Sequence, residues 1–227
     1  MKHYLIVLVS LCISNFIYSQ KSKILNDQGW EKYSKGNYTG SIQDFTEAIE
    51  LNDFPEINER NYKDMLVLTY YARALAKKQI KDYAGRIADL TKAIESNKKS
   101  RCDLDMKNIM KKLLYKERGY EKYRLGDYRS ALSDFDVVLT VKDYERDPTT
   151  LYYKGLTYDS LKDYKSALKY YQDAEFYYKE DRQASLYYFM GIVKIKLGQK
   201  VEGCKDLSTA GELGDKDAYE IIRQKCN

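Results

Sequence analysis

One spacing recurs along this chain and restricts its folding more than any other feature. In Tyr115 to Leu139, YKERGYEKYRLGDYRSALSDFDVVL, Gly119 stands seven residues before Gly126, Asp127 and Tyr128 follow, and Ala131 and Phe135 come next with a four-residue step. Small and aromatic residues so placed describe two helices joined by a short turn. Gly119 lets the paired helix approach, Gly126-Asp127 supplies the turn, and Ala131, Phe135 and Val138 form a stripe at helical spacing. The frame fits four more times: Gly29, Gly36-Asn37-Tyr38, Ser41, Phe45 and Ala48; Ala74, Lys81-Asp82-Tyr83, Arg86, Leu90 and Ala93; Gly155, Lys162-Asp163-Tyr164, Ala167, Tyr171 and Ala174; and Gly191, Gly198-Gln199, Gly203, Leu207 and Ala210. A helix pair of this length cannot bury its apolar stripe alone, so copies must stack and spread the core along a line.

These residues resemble the tetratricopeptide repeat (TPR), whose signature couples an aromatic, a glycine and a tyrosine in the first helix to an alanine and a phenylalanine in the second. The resemblance runs from about residue 22 to 212 and implies an all-α fold, a right-handed α-solenoid of about five helix pairs. The repeats fall at about 22–55, 67–100, 112–145, 148–181 and 184–214. A capping helix over 215–226 follows, with Asp215 as its N-cap and Ala218, Ile221 and Ile222 covering the last repeat. The run AGELGDKDAYEII is also similar to the close of a Sel1-like repeat. Arg86 and Gly203 stand where a small, alanine-like residue is usual, which predicts looser packing at those two interfaces. No copy ends in the usual proline.

The period is uneven, and the unevenness carries information. Gly36 to Lys81 and Lys81 to Gly126 are 45 residues each, whereas Gly126 to Lys162 and Lys162 to Gly198 are 36 each. Against the usual TPR period of 34, the longer spacing carries eleven extra residues, around Glu56 to Leu66 and Arg101 to Lys111, which amount to about three helical turns. An insertion of whole turns lengthens a helix without rotating its face, so NYKDMLVLTYYARALAKK and LDMKNIMKKLLYKERGYEKYR are expected to be extended first helices, with Pro55 marking a boundary before the first of them. Asp147-Pro148 has the form of a helix start.

Residues 1–19 read differently from the rest. Lys2 and His3 precede an apolar run from Tyr4, and SNFIYSQ separates that run from Lys21, the layout of a secretory signal peptide cleaved after Ser19. Tyr4 to Tyr18 is fifteen residues, short of the roughly 20 a spanning helix needs, which weighs against an uncleaved anchor. Leu11 and the apolar residues beyond Cys12 weigh against lipidation there. The expected location is therefore exported, periplasmic or extracellular, where disulfides persist. The exported chain keeps Cys102, Cys204 and Cys226. Antiparallel helices turning at Leu213-Gly214 bring Cys204 and Cys226 to similar heights, leaving a disulfide and a pair of buried thiols both open. Without the leader, 38 basic residues face 34 acidic ones, a balance that offers no electrostatic basis for a nucleic-acid partner.

Little in the sequence points to catalysis. The one histidine, His3, lies in the leader, which removes His-dependent acid–base chemistry, Ser-His and Cys-His pairs, and His-containing zinc sites from the exported chain. There is no phosphate-binding glycine loop. The carboxylates are expected on solvated helix faces beside Lys and Arg. No catalytic residue, metal ligand or cofactor is assigned, and the chain is read as non-enzymatic. What remains is a surface.

The resemblance implies that first helices line a concave groove and that a protein or peptide segment binds in it. Helical spacing from each glycine assigns Trp30 and Tyr33, Tyr71, Lys116, Tyr120, Tyr123 and Arg124, Tyr152, and Tyr188 to that groove, beside Asn26, Leu75, Lys78, Leu156, Asp159, Ile192 and Ile195. Tyrosine offers a large apolar face, a hydrogen-bonding tip and few torsions to freeze. Two other readings stay open: Trp30 as a partly buried cap at the array's end, and the tyrosines as packing residues. The function so implied is an interaction scaffold or adaptor of the bacterial cell envelope, associating with envelope complexes. The rival is a structural solenoid that self-associates without a dedicated ligand. A carbohydrate-binding module or envelope enzyme needs clustered carboxylates, which the spacing does not suggest.

Overall fold

The structure, a computed structural model, describes residues 20–52, 59–100, 102–141, 143–178 and 183–226. The leader 1–19 and Pro55 lie outside them. All the regular structure among these residues is α-helical. The chain divides into two units, Met1–Arg118 and Gly119–Asn227. The first holds α1 (20–34), α2 (Tyr38–Asn52), α3 (Glu59–Gln79), α4 (Tyr83–Lys99) and most of α5 (Leu104–Arg124). The second holds the end of α5, α6 (Tyr128–Leu139), α7 (Pro148–Ser160), α8 (Tyr164–Tyr178), α9 (Ala184–Lys196), α10 (Lys200–Glu212) and α11 (Lys216–Lys225). In each unit, helices consecutive in sequence pack together, which is the helix-pair stacking expected of TPR repeats.

Each pair turns the same way. Gly36, Lys81, Gly126, Lys162 and Gly198 all have φ between 61° and 83°. At the first of these, Gly36 N donates to Tyr33 O and Asn37 N to Lys32 O, satisfying carbonyls that the ending helix leaves free. The next residue then starts the second helix: Asp82 accepts from Gly85 N at 2.9 Å, and Asp127 and Asp163 do the same for Ser130 and Ser166. Lys81 and Lys162 take the left-handed conformation without glycine, at a cost of about 1 kcal/mol each.

Helix approach inside a pair follows a sixteen-residue rule. Gly29, Gly119 and Gly155 lie under the rings of Phe45, Phe135 and Tyr171, so close that an added Cβ would fall 2.4 to 2.8 Å from ring carbon. Leu90 and Leu207, sixteen residues beyond Ala74 and Gly191, are fully buried too. At α9 and α10 the approach is backbone to backbone, since a Cβ on Gly203 would meet Gly191 O at 2.6 Å. The looser packing expected at Gly203 is therefore incorrect: two facing glycines allow closer contact than alanine does. The same expectation fails at Arg86, which is completely buried and pairs through its guanidinium with Glu117.

Residues 59–66 and 104–111 of the two insertions are helical. α3 and α5 are each 21 residues long, against 13 for α7 and α9. Leu66 and Met110 in the added lengths are buried and Ile109 is exposed, while just beyond them Leu114 is buried and Leu68 exposed. Asp147 caps α7 through Thr150, with Pro148 in its first turn. Asp215 caps α11, whose Ala218 is buried and whose Ile221 and Ile222 pack on the core of the second unit. A disulfide joins Cys204 on α10 to Cys226 at the end of α11, and Cys102 is free and half-buried.

Candidate protein-interaction surfaces

The residues assigned to binding fall into two groups, one in each unit. In the first unit Trp30 meets Tyr33 edge-on at 5.6 Å and Phe45 at 5.7 Å, and Tyr33 continues to Tyr38 at 5.4 Å. Trp30 remains 43% exposed, so one edge packs while the other is offered to solvent. The Tyr33 hydroxyl receives a hydrogen bond from Gln79. Tyr71 on α3 is half-buried, and burial, followed by the charge of Glu117, raises its phenol above the ordinary value. Lys116, also half-buried, lies on α5 in this unit.

In the second unit the tyrosines form a connected set of rings around a residue the sequence reading passed over. Tyr153 meets Tyr120 at 5.0 Å, Tyr152 at 5.5 Å, Phe135 at 6.2 Å and Tyr123 at 6.3 Å. Tyr152 extends the set to Tyr171 and Phe189, and Phe189 to Tyr188. Arg124 stacks its guanidinium over Tyr120 at 5.8 Å. Tyr120, Tyr123, Tyr152 and Tyr188 are thus brought together through Tyr153 and Phe189, each half-buried. Leu156, assigned to the same face, is instead a core residue.

Burial raises the phenols of Tyr123, Tyr152 and Tyr188, and that of Tyr153 to about 12. They stay neutral at physiological pH. Hydrogen bonds to Ser160 and Ser185 pull Tyr123 and Tyr152 partly back. The set therefore presents neutral rings with polar tips, suited to an extended peptide's apolar side chains and backbone.

Four carboxylates depart from the solvated helix faces expected of them. Asp44, Asp89, Asp134 and Asp206 are buried, not solvated, and each pairs with the lysine twelve residues earlier: Lys32 at 2.7 Å, Lys77 at 2.9 Å, Lys122 at 2.8 Å and Lys194 at 2.6 Å. In the fourth repeat the same two places hold Tyr158 and Tyr170, stacked at 5.3 Å with planes 3° apart. Lys154 packs over the Tyr170 ring at 4.2 Å and bonds Asp136 at 2.5 Å. These acids clamp helix pairs and are spent on structure. The recurrent twelve-residue Lys-to-Asp step was the signal that would have found them. Among the described residues no three His, Cys, Asp or Glu side chains gather as metal ligands, and no helix is long and apolar enough to cross a membrane.

Residues 68–100 and 148–175 match the family described as tetratricopeptide repeat. No curated protein matches the chain by sequence. Among solved structures the fold is similar to a MamA protein, at 17% identity and a TM-score of 0.68, covering 91% of this chain and 96% of that one. It is similar to YrrB, described as a TPR protein with an unusual peptide-binding site, at 12% identity and a TM-score of 0.68, covering 94% and 97%. A third is PilF of Pseudomonas aeruginosa, at 14% identity and a TM-score of 0.63, covering 90% and 82%. At these identities the likeness is one of fold.

Proposed function

We propose that this TPR-type chain is a non-enzymatic scaffold or adaptor that binds a protein or peptide segment on the tyrosine-rich faces of its first helices, after export to the bacterial cell envelope. One observation carries the binding reading: the half-buried ring set centred on Tyr153, which supplies Tyr120, Tyr123, Tyr152 and Tyr188 as rigid aromatic contacts. A ring already packed on one side loses little freedom when a ligand covers the other. Arg124, stacked over Tyr120 and 3.5 Å from the buried Glu121 carboxylate, sets a guanidinium at the edge of the ring set. The peptide-binding description of YrrB supports this mode for the fold. Export rests on the leader-like sequence of residues 1–19, and a disulfide such as Cys204–Cys226 is a bond that persists in oxidising compartments. We read the α10–α11 end as Sel1-like on the strength of its sequence.

In-cell crosslinking and recovery of the tagged protein test both parts. Native protein is expected in the envelope fraction, cleaved after Ser19 and crosslinked to a specific partner. Tyr188→Ala and Tyr120→Ala, each checked for retained helicity, are expected to lose that partner. Recovery of the protein alone favours the self-associating solenoid. A partner that survives both changes removes the tyrosine faces as its site.

A further inference from the structure

The added turns of α5 build a feature on the first unit that the tyrosine faces do not include. Together with the last turns of α4 they enclose a cleft of about 300 Å³, walled by Ile94, Leu104 and Tyr115 and edged by Lys98, Lys107 and Lys111. The wall is fixed by the side-chain amide of Asn97, which donates to Lys107 O at 3.1 Å and ties α4 to α5. Leu104, at 71% exposure, and Met106 and Ile109 leave apolar surface open along the same turns.

The charge here is one-sided. Between Ser96 and Leu113 stand six basic and two acidic residues, an excess of four in a chain whose total is +5. One of the two acids, Asp103, is engaged by Met106 N at the start of α5. Lys98, Lys107 and Lys111 form no ion pair with a described residue, unlike Lys32, Lys77, Lys122 and Lys194, which each hold a buried aspartate.

We infer that the cleft between α4 and the extended start of α5 is a docking site for an acidic peptide segment carrying an apolar residue. The apolar side chain enters between Ile94, Leu104 and Tyr115, and carboxylates on either side of it meet Lys98, Lys107 and Lys111. The volume lies at the low end for ligand sites, right for one or two side chains. Its concavity favours a peptide over a bilayer, which needs a flat or convex apolar face. Lys98, Lys107 and Lys111 meet carboxylates as point charges on flexible stems, which lets one cleft edge follow an acidic segment. Field focusing in a basic cleft also speeds capture of an acidic partner.

Fluorescence anisotropy on the full exported chain tests this, with labelled Glu-Asp-Leu-Glu-Asp as probe, Lys-Lys-Leu-Lys-Lys as its counterpart, and phosphatidylcholine–phosphatidylserine vesicles in a parallel sedimentation assay. The acidic peptide is expected to bind and the basic one not. Raised salt and the combined change Lys98→Glu, Lys107→Glu, Lys111→Glu are each expected to weaken binding roughly tenfold or more. Leu104→Ser, or serine for leucine in the probe, is expected to weaken it without altering the salt slope. Tyr120→Ala is expected to leave it unchanged, which separates this site from the tyrosine faces. Equal binding to native and charge-reversed protein, or no binding of the acidic peptide, overturns the inference, and vesicle sedimentation without peptide binding assigns the cleft to anionic lipid instead. Should the charge-reversed chain lose helicity, the glutamine triple variant carries the same comparison.

Discussion

Tyr171→Phe should stabilise this protein, an unusual direction for a change at a completely buried site. Tyr171 occupies the place that Phe45 and Phe135 hold in other repeats, with its ring against Gly155. Its hydroxyl is buried and has no hydrogen-bond partner. Burial, more than the charge of Asp159, holds the phenol far above its ordinary value, so the cost concerns a neutral hydroxyl. Leaving such a group unsatisfied costs about 1–3 kcal/mol. Removing it leaves a void one oxygen in size, whose lost dispersion contacts return a few tenths of a kcal/mol. The net expectation is a gain of about 1 kcal/mol, and a chain of this size responds by about 2–4 °C in Tm for each kcal/mol. Urea and thermal unfolding of Tyr171→Phe measure it, and Phe135→Tyr supplies the inverse, expected to lose about as much. A Tm lowered by Tyr171→Phe would show that the hydroxyl is bonded in solution and would refute the reasoning; an unchanged Phe135→Tyr would show that this place in the repeat tolerates a hydroxyl in general.

Three further outcomes follow from other contacts. Arg73 forms a two-point bond with Asp89 at 2.6 and 3.0 Å and reaches Thr46 on α2 at 3.0 Å, so Arg73→Met strips a buried carboxylate of one of its two cations; a loss of about 3 kcal/mol, readable by urea unfolding, is expected. Reduction of Cys204–Cys226, which closes a 22-residue separation, should cost about 3 kcal/mol in the chain-entropy picture and raise amide exchange first in α11; uniform exchange across the second unit would contradict a pinning role confined to that helix. Burial raises Asp206 above its ordinary 3.8 against the opposing pull of Lys194, so the folded state binds that proton more tightly than the unfolded one. The native chain therefore gains stability as pH falls through the raised value toward 3.8 and loses it again on the way up, while Asp206→Asn should lack that slope in unfolding measured across pH 4 to 7.

The repeat architecture was legible because its determinants are local and recur. A glycine sixteen residues before an aromatic, a left-handed residue at the turn and an aspartate after it constrain backbone that is close in sequence, so Gly119, Gly126 and Asp127 could be read in place. Whole-turn insertions were readable for the same reason, since 45 residues against the usual 34 add about three full turns and so preserve helical phase. Tyr120, Tyr123, Tyr152 and Tyr188 could be named from helical spacing, but Tyr153 could not be singled out among 24 tyrosines. Its place at the centre depends on α5, α6 and α7 converging, and no property of the residue alone marks that.

By itself the sequence determined the fold class, the helix boundaries near each turn, the uneven repeat length and the poverty of catalytic side chains. These follow from backbone preference and apolar periodicity, which act within a few turns of chain. Only the tertiary structure decided which charges are spent and which are available. Four aspartates that look like ordinary surface acids are buried against lysines twelve residues back, while Lys98, Lys107 and Lys111 border an open cleft and keep their charge for a ligand. Composition cannot separate the two sets, because an ion pair's fate depends on the distance and burial that helix packing sets.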